Sequence, residues 1–288
     1  MSEPDFRAAN VCIIGGKGRM GQWFESLFRK EGFDPLVSDV KDSPISKDLV
    51  PSCDVIVLAV PVTATENVMK AIGQFIRPDA LLVDISSIKR DPINCMLKYS
   101  NSEVIGTHPL FGPNAVSLLN QVVFLCPSRT EKWIKPFRKF LEDLGAKIIE
   151  VTPDNHDRFM ACFQTLRHVM LTALGQTLIR LGFDSHFQVE ATGQWFQQLI
   201  EMLRHQFKQP PELYADLAIQ NPHSSSMVKL FRDNLNELAN FIANEDKAGL
   251  ISAMDEVARF CATEATPNDA GWGWWRDSAE IPGILMSD

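Results

Sequence analysis

The chain has 288 residues, 45% of them hydrophobic, and a formal net charge of −8 with cations and anions interspersed. That is enough for one large domain or two modest ones, and a poor match for nucleic acid, which needs a basic patch. Six cysteines at 12, 53, 95, 126, 162 and 261 lack metal-ligand spacing, the start (Met1-Ser2-Glu3-Pro4-Asp5-Phe6) is polar and acidic, and no apolar run reaches membrane-spanning length, so no disulfide framework, metal site, signal peptide or membrane partner is expected and the cytoplasm is the expected compartment.

Val11-Cys12-Ile13-Ile14 is a short all-apolar run, as in a buried parallel strand. It runs into Gly15-Gly16-Lys17-Gly18-Arg19-Met20-Gly21, with Gly-x-Gly-x-x-Gly at 16, 18 and 21. An amphipathic helix follows, carrying Met20, Trp23, Phe24, Leu27 and Phe28 on one stripe. In this setting Gly16 serves the tight turn, Gly18 admits a pyrophosphate to the backbone, and Gly21 lets helix and strand pack closely. The helix N-terminus adds free N–H groups and a positive dipole end. Gly16, Lys17, Gly18, Arg19, Met20 and Gly21 are therefore the expected cofactor loop. The next strand, Pro35-Leu36-Val37, ends at Ser38-Asp39. Asp39 can accept from both ribose hydroxyls and would repel a 2′-phosphate, so NAD is expected over NADP.

A third strand at 55–60 opens through Val60 and Pro61, which complete the expected cofactor set, into a helix over about 64–75. A fourth strand, Leu81-Leu82-Val83-Asp84, leads into Ile85-Ser86-Ser87-Ile88-Lys89. Val104-Ile105 then precedes Gly106-Thr107-His108-Pro109-Leu110-Phe111-Gly112-Pro113, where a strand end presents one imidazole on backbone stiffened by Pro109. A strand at 122–126, a helix over about 131–144 and a strand at 147–151 follow. This alternation predicts an α/β fold with an N-terminal Rossmann-type doubly wound sheet.

From Pro153 strand-like runs vanish. Residues 155–179 read as one long apolar helix through Phe159, Phe163, Leu166, Met170 and Leu174, suited to domain or subunit contact, with later breaks near 182–184, 209–211 and 221–223. The expected organisation is a Rossmann-type domain over 1–152, an all-helical C-terminal domain over 153–265 and an irregular Trp-rich extension over 266–288. His156, His186 and His223 read as structural or solvated, and Lys89 and Arg167 as anion contacts or ion pairs.

The glycine loop, Asp84-Ile85-Ser86-Ser87-Ile88-Lys89, the segment from Gly106 to Pro113, Gln164-Thr165-Leu166-Arg167-His168 and Glu212-Leu213-Tyr214-Ala215-Asp216 occur in an order that resembles the prephenate dehydrogenase family. The likeness runs from about residue 11 to 260 and is nearest to the dehydrogenase half of bifunctional chorismate mutase–prephenate dehydrogenases. No mutase helix precedes it, so a monofunctional version is expected. The resemblance implies NAD-dependent oxidative decarboxylation of a dianionic cyclohexadienyl acid, within aromatic amino acid biosynthesis, by a homodimer. In it, the residue matching His108 takes the proton of the ring 4-hydroxyl, which needs a neutral imidazole. Ser87 orients substrate and base, and His168, with Gln164 one turn away, contacts substrate.

The sequence departs from the family pattern where a substrate-carboxylate arginine is expected: His205 stands there with Arg204 beside it, and Gln197 replaces a second arginine. An imidazole cannot fork onto a carboxylate as a guanidinium does. Prephenate and 4-amino-4-deoxyprephenate both stay open as substrates. A non-catalytic NAD sensor has no use for Ser87, His108 and His168 together, and a β-hydroxyacid dehydrogenase would need a lysine that 159–168 lacks.

Overall fold

The structure is a computed structural model that describes residues 3–39, 48–183 and 192–262. The expected extension over 266–288 and His186 lie outside the described residues. The chain divides into two compact units, Met1–Met160 and Ala161–Asp288.

In the first unit a seven-stranded sheet has the order β2-β1-β3-β4-β5-β6-β7, with β1 Val11–Ile14, β2 Leu36–Ser38, β3 Val55–Leu58, β4 Leu81–Asp84, β5 Glu103–Pro109, β6 Val122–Arg129 and β7 Lys147–Glu150. Side chains alternate strictly between two cores. Val11, Ile13, Val55, Val57, Leu81 and Val83 face one, with α1 (Arg19–Lys30) and α4 (Ile134–Asp143) packed on it through Phe24, Phe28, Phe137 and Phe140. Cys12, Ile14, Ile56, Leu58 and Leu82 face the other, covered by α2 (Val62–Ile72) and α3 (Arg90–Tyr99) through Val68, Met69, Ile72, Ile93 and Met96. Helices on both faces make the sheet doubly wound. From β1 the chain turns one way to β2 and the other to β3, so the loop after β1 sits at the switch point where such sheets open a crevice.

The strand end expected at His108 is present, and the strand is longer than Val104-Ile105: β5 runs from Glu103 through His108 to Pro109, because β6 returns beside it antiparallel, pairing His108 with Phe124 and Pro109 with Val123. β7 lies parallel to β6, so the last two strands run against the first five. Thr152 starts the next helix, α5 (Pro153–Met160): its Oγ1 accepts from Asn155 N at 3.3 Å and its carbonyl from His156 N at 2.9 Å.

The second unit is helical among its described residues. A π-helical turn, Ala161–Leu166, leads into α6 (Arg167–Arg180), followed by α7 (Gln194–Gln206), α8 (Pro211–Gln220), α9 (Ser224–Ala243) and α10 (Lys247–Ala262). The single helix expected over 155–179 is thus α-, π- and α-helical in turn, and the two units divide at its α-to-π junction. No helix among the described residues is long and apolar enough to cross a membrane.

Candidate active site

The glycine loop is built by contact. Gly15 has φ +83°, and a Cβ there would lie 2.6 Å from the Ala59 carbonyl oxygen. The left-handed turn therefore belongs to Gly15, not to Gly16 as the motif spacing suggests. Gly16 is a glycine because a Cβ would meet Val37 of β2 at 2.3 Å, and Gly21 because one would meet the Gly15 oxygen at 2.5 Å. Gly18 is the N-cap of α1 and offers no side chain, so the first N–H groups of the helix face outward without a side-chain cap among the described residues. The Ser38 carbonyl accepts from Gly15 N at 2.8 Å, which puts Asp39 beside the loop. On the other side Ala59 N donates to Ile14 O at 2.8 Å, bringing Val60 and Pro61, the N-cap of α2, against it. Lys17, Arg19 and Met20 complete the turn into α1. The predicted cofactor residues thus gather around one glycine cradle with an open helix N-terminus. Such a cradle fits a pyrophosphate.

His108, 3% exposed, lies at the C-terminal end of β5. Its Nδ1 is 2.9 Å from Nε2 of His156 on α5, and His156 Nδ1 is 2.8 Å from Asp157 Oδ1. The Asp157 carboxylate also accepts from Lys89 N at 2.7 Å and Arg90 N at 2.9 Å, two amides at the head of α3. Lys89 is fully buried. Its ammonium donates to the Asp84 carboxylate and, at 2.8 Å, to the Thr107 carbonyl next to His108. The stem of Lys89 passes over Gly106, where a Cβ would lie 3.0 Å from Lys89 Cδ and 2.5 Å from Ile93 Cδ1. Burial, then His156 and then Lys89 hold His108 well below the ordinary histidine range, and burial with Lys89 does the same for His156. Burial also draws Lys89 down to about 7.

Ser87 lies half-buried in the turn after β4. That turn is fixed by Ser86, whose N–H donates to Asp84 at 3.0 Å, and Thr107 Oγ1 ties β5 to the Asp84 carbonyl at 2.8 Å. The stretch after His108 is fastened to α1: Phe111 packs on Trp23 at 4.8 Å, and Trp23 Nε1 donates to Ala115 O at 2.6 Å.

In the second unit His168 is buried. Its Nε2 accepts from Arg167 Nη2 at 2.8 Å, and its Nδ1 is buried without a partner among the described residues. A guanidinium only donates, so the imidazole proton sits on Nδ1. Burial and Arg167 lower His168 to about 4, so the ring is neutral. Tyr214 packs on it at 4.1 Å and donates to the Gln206 carbonyl at 2.8 Å, and Gln206 Nε2 reaches the His168 carbonyl at 3.4 Å. Gln164 falls in the π-helical turn, which changes the one-turn α spacing expected between it and His168. At the end of α7 Arg204 pairs with Glu201 and His205 is exposed, while their neighbour Gln206 is the residue that reaches His168.

Sequence reasoning missed His156 and Asp157 as site residues and passed over Tyr214 and Gln206; of its two readings of Lys89, anion contact or ion pair, the structure shows an ion pair, with Asp84, but buried rather than at the surface. A His-Asp pair just after the last strand and the Tyr of Glu-Leu-Tyr-Ala-Asp were the available signals.

The nucleotide-binding domain model of prephenate dehydrogenase matches residues 31–150, and the dimerization domain model of the same enzyme matches residues 152–256. The chain belongs to the prephenate dehydrogenase family. Within this prephenate dehydrogenase group, a probable arogenate/prephenate dehydrogenase of Methanocaldococcus jannaschii is 33% identical over 274 residues, covering 88% of this chain and 61% of that protein. The T-protein of Enterobacter agglomerans is 29% identical over 255 residues, covering 88% of this chain and 68% of its own length. The chain therefore spans roughly two thirds of these relatives. The crystal structure of prephenate dehydrogenase from Aquifex aeolicus, in complex with hydroxyphenyl propionate and NAD+, shares the fold with a TM-score of 0.68 at 22% identity, covering 86% of this chain and 96% of that one. The family match begins at residue 31, after the glycine loop, so the loop residues stand on their geometry alone.

Proposed function

We propose that the protein is an NAD-dependent dehydrogenase that oxidatively decarboxylates prephenate to 4-hydroxyphenylpyruvate. The observation that carries this reading is His108: a neutral, buried imidazole at the end of β5, with Nδ1 engaged by His156 and Nε2 without a protein partner among the described residues. A base of this kind suits removal of the proton from a ring hydroxyl as carbonyl character develops at ring carbon 4. NAD, when bound, supplies the acceptor for the hydride leaving that carbon. Gly16, Lys17, Gly18, Arg19, Met20 and Gly21 would hold its pyrophosphate at the head of α1, Asp39 its ribose hydroxyls, and Val60 and Pro61 the wall of the site. We assign the cofactor to residues 1–152 and the substrate-binding and dimer-forming role to 153–265.

His108 acts as the base and Ser87 orients it with the substrate. His168 presents an Nδ1–H donor, flanked by the Arg167 guanidinium, to the oxygens of the substrate's pyruvyl side chain. A set made of donors suits a keto acid. The ammonium of arogenate, the amino-acid counterpart named in the M. jannaschii relative's description, would need an acceptor there. Gln164, Arg204 and His205 are assigned to the substrate's carboxylates. With 4-amino-4-deoxyprephenate, the nitrogen lone pair would stabilise the cation at carbon 4 and His108 would matter less.

Steady-state kinetics with NAD and each of prephenate, arogenate and 4-amino-4-deoxyprephenate test the reading. Prephenate should have the highest kcat/KM. His108→Asn should lower kcat on prephenate by about a hundredfold to ten-thousandfold with little change in KM. Because burial, His156 and Lys89 depress the His108 pKa, the base stays deprotonated through neutral pH, and kcat should fall only on the acid side of the usual histidine range. A full-rate His108→Asn enzyme on prephenate would sink the assignment.

A further inference from the structure

We propose that the buried Asp157–His156 pair is the positioning device of the His108 base: it fixes which nitrogen of His108 carries the proton and receives the positive charge that catalysis creates. The proposal rests on reading His108 as the general base, and it begins from hydrogen-bond direction alone.

Asp157 is the anchor. Its carboxylate accepts two backbone N–H groups, from Lys89 at 2.7 Å and Arg90 at 2.9 Å, at the positive end of α3. Amides can only donate, so both Asp157 oxygens are acceptors and the group is held as an anion. The contact at 2.8 Å to Asp157 Oδ1 must then be made by a proton on His156 Nδ1. A neutral His156 with its proton on Nδ1 has a lone pair on Nε2. The 2.9 Å contact to His108 is therefore donated by His108 Nδ1–H, and the lone pair of His108 is left on Nε2. The direction runs without ambiguity from the head of α3 to the reacting nitrogen.

The same chain has a place for the charge. When His108 Nε2 takes the substrate proton, His108 Nδ1–H can pass to His156 Nε2, leaving His108 neutral and His156 as an imidazolium against the Asp157 carboxylate. The cycle closes when His108 Nε2–H is lost to water and His156 returns its proton to His108 Nδ1. One proton leaves the substrate and one enters solvent. The other titratable groups around the pair work against a charge at rest. Lys89, with Asp84 on its ammonium, lies at the head of α3, and the Cys126 thiol on β6 stays neutral because burial pushes it up to about 12. Phe124 of β6 covers the His156 ring edge-on at 5.4 Å. Burial first, and then Lys89, hold both imidazoles neutral until a proton arrives from substrate, with His156 adding to the effect on His108.

The tautomer is read directly from long-range 1H–15N correlation spectra of 15N-labelled protein without substrate, with His108 assigned by comparison with His108→Asn. The proton of His108 should be on Nδ1; finding it on Nε2 overturns the proposal. In kinetics, Asp157→Asn should lower kcat by roughly a hundredfold with KM little changed. It should also move the acid limb of the kcat profile to lower pH, because the anion that favours the imidazolium is gone; an unmoved limb overturns the proposal. His156→Gln, whose carbonyl can still accept from Nδ1–H, should keep clearly more kcat than His156→Leu, and equal rates in the two overturn it. Should a variant fail to fold, the spectrum of the unmutated protein still decides. A full-rate His108→Asn enzyme refutes the base itself. An impaired His108→Asn enzyme beside unaltered Asp157→Asn and His156→Leu enzymes refutes only the positioning pair.

Discussion

One carboxyl group decides the expected cofactor preference. Asp39 follows β2 directly, and the preceding Ser38 carbonyl accepts from both Gly15 N at 2.8 Å and Gly16 N at 3.3 Å, so its backbone is held at the rim of the glycine cradle. A carboxylate there accepts from ribose hydroxyls and repels a 2′-phosphate. NAD should accordingly be used far better than NADP, and Asp39→Ala should narrow that ratio by weakening NAD and tolerating NADP. Comparing kcat/KM for both cofactors in the two proteins checks this, and equal use of NAD and NADP by the unmutated protein would contradict it. Residues of this kind were legible because their neighbours in sequence are also their neighbours in space. His108 was legible for the same reason, with Gly106 and Pro109 framing it. His156 was not, because its partner lies 48 positions away and the two meet only through the path of β6 and β7. The same holds for Lys89. A lysine after a strand reads as an anion contact or an ion pair, and its burial shows only once Gly106 is seen to leave room for its stem.

Elements were legible where hydrophobic period and turn chemistry agreed. All seven strands are visible in the sequence, as are α1, α2 and α4, since short apolar runs between turn signals leave few alternatives. α3 is not among the elements read from the sequence, although Pro92 in its first turn is compatible with a helix, having no N–H bond to lose there. The full length of β5 was hidden because Gly106 and Pro109 mimic a turn, and only the antiparallel return of β6 makes them strand. The first residue of β5 has a role no pattern reveals. Buried Glu103 accepts from the N–H groups of Glu131 at 2.8 Å, Lys132 at 3.1 Å and Trp133 at 3.1 Å, closing the turn that leads into α4. Glu103→Ala leaves three amides without that acceptor, one of them that of Trp133 in the aromatic core with Phe6 and Phe140. The expected cost is about 1–3 kcal/mol, seen as a lower midpoint in urea or thermal unfolding, with Glu103→Gln less affected because its carbonyl still accepts. An unchanged midpoint in Glu103→Ala would show that the turn holds without its carboxylate.

At the scale of the whole molecule the two units differ in how they cover their apolar surface. The sheet of the first unit is closed on both faces by its own helices. In the second unit neither α8 nor α10 has a buried residue among those described, and Ile219 is 82% exposed, Ile242 66%, Met254 61% and Val257 61%. Exposed apolar side chains at this density across consecutive helices mark a protein–protein surface rather than a solvated one. The dimerization domain model covers residues 152–256, which include α6 to α9 and most of α10. Periodicity alone offers the helix over 155–179 as a domain or subunit contact within an all-helical half suited to dimer formation. The exposed apolar side chains put this surface on α8, α9 and α10, which read in the sequence only as helices, because a face that meets a second copy has the same period as one that meets the chain's own core. The protein should therefore run in light scattering at micromolar concentration with about twice the 32.3 kDa mass of one chain. Charge placed on this surface, as in the double variant Ile251→Glu with Met254→Glu, should shift it toward monomer, since two carboxylates buried without partners would oppose association. The shift should reverse on dilution or concentration as a mass-action equilibrium requires. A monomeric unmutated protein at that concentration would leave these helices without an explanation for their apolar faces and would overturn the assignment of the second unit as the assembly surface.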